Sequence, residues 1–138
     1  MFNLRKLMTV LKRKMLLTSA TDRAMAADLA KGMAAYEAGD YQTAVQELRP
    51  LAEAGDSYAQ FNLGVMYNNG QGVPQNYISA HMWYNLAASN GNNLAVENRN
   101  LAAENRDAIA SEMSKAAVER AQARAAQCLA SDYQDCGG

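Results

Sequence analysis

Few residues in this chain have types and spacings that could do chemistry. Its 138 residues include one histidine, His81, and two cysteines, Cys128 and Cys136. Ser79 lies close to His81 in sequence, but residues two apart on a helix point to different sides. No acidic residue is marked as a third partner, so no nucleophilic triad is expected, and His81 reads as a helix-surface residue. A metal cage built from several His and Cys ligands is excluded by the same scarcity. Gly70-x-Gly72 lacks the third glycine of a dinucleotide loop and follows a helical pattern, whereas that motif follows a strand. Neither a Gly-Lys-Ser/Thr phosphate loop nor a Ser-x-x-Lys pair occurs. The acidic residues are scattered singly, as on solvated helix faces. An enzyme needs a nucleophile, base or metal placed together. The expectation is no catalytic residue, no metal and no cofactor.

Cys128 and Cys136 enclose a short loop, and two readings stay open for them. A bridge across that loop would stabilise by about 2.5 kcal/mol through lost chain entropy. It would need an oxidising compartment. Otherwise they are unrelated thiols, one buried and one near the frayed Gly137-Gly138 end. Their spacing excludes a Cys-x-x-Cys redox motif.

The elements that must position these residues are helical. Alanine contributes 27 residues, against 12 for Val, Ile and Thr together, which favours helix over strand. The length fits one small all-α domain with a marginal core. No apolar run approaches the ~20 residues that span a bilayer. The net charge of −1 gives no reason to expect nucleic acid as a partner. That charge is a cancellation. Residues 1–23 carry six basic residues against Asp22, a net +5, and the remainder carries −6. The basic start, the following apolar residues and Ala24-Met25-Ala26 resemble a secretory signal, giving a degenerate leader over 1–26 and a mature chain from Ala27. Lys12-Arg13-Lys14 interrupts its apolar stretch. Export predicts a periplasmic or secreted protein; the alternative is a cytoplasmic protein that keeps the leader.

An internal repeat organises the middle. Asp40-Tyr41-x-x-Ala44 reappears 36 positions later as Asn76-Tyr77-x-x-Ala80. The same offset relates Leu51-Ala52 to Ala87-Ala88, Gly55 to Gly91 and Ala59 to Ala95. Upstream, Gly32 matches Gly64 at 32 positions, which places a four-residue insertion in the Gly70–Pro74 loop. Each unit reads as a helical hairpin. Leu29, Met33 and Tyr36 share one stripe, with Gly32 facing the neighbouring helix. Tyr41, Ala44, Val45, Leu48 and Leu51-Ala52 form the next stripe. Asp40, Asp56, Asn76 and Ser114 are placed to cap helices, and Gly39, Gly55 and Gly91 to end them. Pro50 cannot donate to the Gln46 carbonyl, which predicts a bend or break between those positions.

Ala59-x-Phe61-x-Leu63-Gly64-x-x-Tyr67-x-x-Gly70-x-Gly72-Val73, followed by Ala80-x-x-Trp83-Tyr84-x-x-Ala87-Ala88-x-x-Gly91, resembles a Sel-one-like repeat. That family belongs with the tetratricopeptide-like α-solenoids. The resemblance implies a short right-handed solenoid of antiparallel hairpins, with a tetratricopeptide-like repeat over 27–55 and a Sel-one-like repeat over 56–91. A partial third repeat and capping helix would fill 92–138, and the cysteine-bearing tail is similar to the ends of exported bacterial members. In the tail, Leu94–Asn100 is followed by Leu101–Asp107 with five of seven positions identical. This duplication lengthens one helix, read as solvated with Glu and Arg outermost. The last helix would place Val118, Ala121, Ala125, Cys128 and Leu129 on one face.

By analogy with the family, the inner surface comes from the first helix of each hairpin. It would carry Leu29, Met33 and Tyr36 from the first unit and Tyr58, Phe61, Val65 and Asn68 from the second. Core packing between hairpins is the competing reading of these residues. The implied function is a non-enzymatic scaffold or adaptor module that holds another protein or peptide. Alternatives are an oligomerising envelope accessory or regulatory protein and, more remotely, a cryptic hydrolase resting on His81.

Overall fold

The computed structural model describes residues 20–90, 94 and 96–136. Most of the leader, and with it the interrupted apolar stretch, lies outside the described residues, as do Gly91, Asn92, Asn93, Ala95 and the terminal glycines. Six helices and no strand occur among the described residues: α1 (Ala20–Glu37), α2 (Tyr41–Glu53), α3 (Ser57–Asn69), α4 (Tyr77–Ser89), α5 (Val96–Ala110) and α6 (Lys115–Ala130). Each of the first five packs on its neighbour in sequence, while α6 packs back on α4. The result is an all-α helical-repeat solenoid whose second half is built around α4. Ala24-Met25-Ala26 falls within α1.

Helix boundaries follow the capping chemistry. Asp40 and Asp56 accept the N–H groups of Thr43 at 3.3 Å and Ala59 at 2.8 Å. Asn76 and Ser114 likewise accept those of Ser79 and Ala117, both at 3.1 Å. Each satisfies a first-turn donor that the helix itself cannot. At the other ends, α1 and α2 stop in paired reverse bonds. Asp40 N–H reaches Ala35 O at 2.9 Å across Gly39, and Asp56 N–H reaches Leu51 O at 2.9 Å across Gly55. The glycines adopt the left-handed backbone this stop requires, with φ of +79° and +92°. The sequence predicts a bend or break before Pro50, yet α2 runs unbroken through it. Pro50 lies in the last turn, so Gln46 alone loses a helical donor. The Pro50 carbonyl still accepts Ala54 N–H at 3.0 Å.

The repeat is visible in the packing. A Cβ on Gly32 would sit 2.9 Å from Leu48 Cδ2, and one on Gly64 would sit 2.6 Å from Tyr84 Cδ1. Leu48 and Tyr84 are 36 positions apart and the two glycines 32, so each hairpin closes on an equivalent glycine notch. The added loop residues fold back on the first unit: Gly72 lies against the Tyr41 carbonyl, leaving no room for a side chain. Gln71 accepts the Tyr36 hydroxyl at 3.3 Å. Arg49 of α2 donates to the Tyr67 hydroxyl of α3 and joins the two hairpins. Leu48, Leu63, Met66, Met82, Trp83, Tyr84 and Leu86 form the centre of the core.

The tail departs from expectation in two places. Leu129 does not share the buried face of α6. It is 46% exposed, while Ala121, Ala125 and Cys128 are buried. One residue beyond Cys128 is a 100° turn of the helix, enough to carry Leu129 out of the contact. The arginines of the duplicated heptad are not outermost either. Arg106 donates to Asn85 of α4 at 2.8 Å, and Arg99 Nε is buried. Glu97 and Glu104 are exposed, as expected. Cys128 and Cys136 stand at disulfide distance, with Cα atoms 4.2 Å apart.

Candidate functional site

The seven proposed groove residues sit on two helices. Leu29, Met33 and Tyr36 lie on α1, and Tyr58, Phe61, Val65 and Asn68 on α3. All are half-buried, and the six apolar or aromatic ones rest against the core. The spacing on α3 explains this. Positions 58, 61, 65 and 68 form one helical stripe, while Ala59, Leu63, Gly64 and Met66 beside it are buried. These residues therefore form the rim of the core and keep one side toward solvent.

Tyr84 joins the rim together, and the sequence reading passed over it. Its ring is 1% exposed and enters the notch at Gly64. It also packs on Phe61 at 5.9 Å between centroids. Its hydroxyl lies beside the side-chain amides of Asn68 on α3 and Asn105 on α5, and Tyr36 of α1 lies near enough to act on it electrostatically. Burial chiefly pushes the phenol up to about 12, so it remains a neutral hydroxyl at physiological pH. The first helix of each hairpin thus meets one phenol from α4. Asn68 and Asn105 are 37 positions apart, close to the repeat offset. That near-match was the available signal for Asn105, obscured by the heptad duplication.

His81 is corrected from a surface residue to a buried one, 2% exposed. The α4 helix is covered by α3, α5 and α6, so almost no face of it stays in water. Its Nδ1 has no hydrogen-bond partner. Burial first, and then the nearby Arg106, hold its pKa below the ordinary value, with Asp107 opposing them. A buried neutral imidazole with no acid bonded to Nδ1 is not arranged as a general base. Among the described residues, no group of three His, Cys, Asp or Glu side chains is placed to hold a metal.

A second polar cluster closes the opposite end of the repeat. Asn90, which follows α4, donates to the Gly55 carbonyl at 2.6 Å and faces Gln60 Oε1 at 3.4 Å. Gln60 is fully buried and donates to the Ala52 carbonyl at 3.1 Å. Ser57, also fully buried, donates to the Asn90 carbonyl at 3.2 Å. The Tyr133 side chain from the tail lies beside Gln60. Polar residues on apolar-looking helices gave no sequence signal for this cluster, because their partners are mainly backbone carbonyls in a distant turn.

The fold and the rim define a short helical-repeat protein with a half-buried aromatic and amide face and no catalytic constellation among the described residues. Residues 57–92, which span α3, the loop and α4, match the model of the Sel1 repeat. Sel1 repeats are generally protein–protein interaction modules. Neither the comparison with curated proteins nor that with solved structures gives a match.

Proposed function

We propose that the protein is a non-enzymatic scaffold or adaptor that holds a protein or peptide partner on the stripe shared by α1 and α3. Leu29, Met33, Tyr36, Tyr58, Phe61 and Val65 would supply the apolar contacts, and Asn68 an amide for the partner backbone. The observation that carries this reading is the convergence of Tyr36, Asn68 and Asn105 near the Tyr84 hydroxyl. It would hold Tyr36 and Asn68 in place before any partner arrives, so less entropy would be lost on binding. The repeat units keep the boundaries 27–55 and 56–91, with 92–138 as the partial third repeat and cap.

The same reading places the protein in the periplasm or outside the cell. The basic leader and a cysteine pair at disulfide distance support this, and the bond between Cys128 and Cys136 would form there. An oligomerising accessory protein is the second reading. Val96, Leu101 and Leu129 favour it, as the large apolar side chains left exposed on α5 and α6.

The test is partner capture from an extract of the native host. Tyr58→Ala combined with Phe61→Ala should weaken capture while the helical circular dichroism signal survives. Loss of that signal would assign the two residues to the core. Mass that rises with concentration, with capture unchanged, would favour oligomerisation.

A further inference from the structure

The tail that follows α6 does more than end the chain. α6 stops in the same paired reverse bonds as α1 and α2, with Tyr133 N–H reaching Cys128 O at 2.7 Å and Asp132 N–H reaching Leu129 O at 3.1 Å. The earlier stops use glycine at the left-handed position. Here Asp132 and Tyr133 both take positive φ, 53° and 64°, which non-glycine residues adopt at a cost. Tyr133 lies inside the loop closed by Cys128 and Cys136, and its ring faces Gly55 across the molecule. A Cβ on Gly55 would be 3.3 Å from Tyr133 Cε2. Its side chain also lies beside Gln60, the fully buried amide at the centre of the cluster made by Ala52, Gly55, Ser57 and Asn90.

We propose that the Cys128–Cys136 bond is a redox-sensitive latch that keeps Tyr133 in the buried amide cluster and so fastens the start of α3 to the end of α4. The proposal rests on the reading that this bond forms in an oxidising compartment. Closed, the bond holds both ends of the loop, and the two left-handed residues keep Tyr133 aimed at Gly55. Opened, the loop relaxes toward ordinary φ values, Tyr133 withdraws, and Gln60 loses a buried partner. Opening is a two-electron exchange with an external dithiol. Its thiolate attacks the sulfur of Cys136, the less buried of the two residues, releasing the Cys128 thiolate. The second thiol of the reagent then displaces Cys136, and two protons complete the two thiols. The reagent leaves as a disulfide. The Sel1 repeat would in this way sense the redox state of its surroundings.

Hydrogen exchange read by mass spectrometry tests the latch on the full chain. The protein is first oxidised with a glutathione couple, and alkylation counts its thiols. Reduction, or Cys136→Ala, should speed exchange in residues 56–63 and 86–90 by about tenfold, with 35–44 unchanged. Tyr133→Ala in the oxidised protein should give the same increase, and reduction should then add less than about twofold. An increase confined to 127–136 would overturn the latch, as would an effect of reduction that persists undiminished in Tyr133→Ala. Two alkylated thiols after oxidation would instead overturn the bond itself, and the latch with it.

Discussion

Gly64→Ala is the sharpest perturbation the structure offers. An added Cβ would meet Tyr84 Cδ1 at 2.6 Å, Cε1 at 2.7 Å and Cγ at 3.0 Å. These are ring atoms, and the ring cannot swing aside cheaply. It is 1% exposed, packs on Phe61, and has Asn68 and Asn105 beside its hydroxyl. Forcing a methyl into such a site costs roughly 3 kcal/mol, the upper end of ordinary overpacking. Replacing a mid-helix glycine by alanine returns about 1 kcal/mol of helix propensity. The net loss is about 2 kcal/mol, which at about 4 °C per kcal/mol for a domain of this size lowers the melting temperature by about 8 °C. Two glycines serve as controls. Gly32→Ala meets the aliphatic side chain of Leu48 at 2.9 Å, which can turn slightly, and should change stability by less than about 1 kcal/mol. Gly39→Ala meets nothing within 4 Å and carries only the left-handed backbone cost, about 1 kcal/mol. Thermal melts of the three variants, followed at 222 nm by circular dichroism, would give the order. In a Tyr84→Leu background the methyl has room, so Gly64→Ala should become neutral or stabilising. The two changes would then couple by about 2 kcal/mol. If Gly64→Ala melts with the wild type, the notch is not a packing constraint and the shared glycine contact does not define the repeat.

Other consequences are open to simpler measurements. The His81 imidazole is held below its ordinary pKa in the folded chain, whereas the unfolded chain protonates near 6.5. Below about pH 6.5 the unfolded state therefore binds more protons, and stability falls as pH drops toward the lowered folded value. Melts from pH 7 to 5 should show this fall in the wild type and a weaker one in His81→Gln; equal slopes would refute it. Asn90→Ala removes the 2.6 Å bond to Gly55 and the contact with Gln60, leaving polar atoms in a buried turn. It should cost about 2 kcal/mol in urea unfolding, and a loss under about 0.5 kcal/mol would show that water replaces the amide. Asn76→Ala removes the cap that accepts Ser79 N–H and should cost about 1 kcal/mol by the same measurement.

The residues show why some of the molecule was legible in the sequence. Caps and stops depend on one side chain and a few neighbouring N–H groups, so Asp40, Asp56, Asn76 and Ser114 could be placed from local chemistry alone. The glycine notches were readable because a repeat states the same contact twice: Gly32 with Leu48, then Gly64 with Tyr84. His81 was misplaced for the opposite reason. Its burial comes from α3, α5 and α6 all packing on α4. The return of α6 to α4 is a tertiary choice that no local pattern encodes. Leu129 looked like a core residue by type, yet the alanines and Cys128 set the contact line, and a single-residue offset put it outside. Pro50 does not break its helix, since a proline in the final turn costs one hydrogen bond and leaves the preceding turns intact.

The two polar clusters divide the labour of a core that the alanine-rich composition leaves marginal. Methyl groups bring helices close but bury little area, so they fix spacing better than they supply stability. Position along the solenoid must then be specified by groups that are costly to misplace. Tyr84 does this at the rim, where a slip of α3 or α5 would strip its hydroxyl of Asn68 or Asn105. Gln60 and Asn90 do it at the other end, bonded to the carbonyls of Ala52 and Gly55. Buried polar groups of this kind are more effective at selecting one arrangement than at lowering its energy. The rim presented by α1 and α3 is only as well defined as the amides and the phenol beneath it.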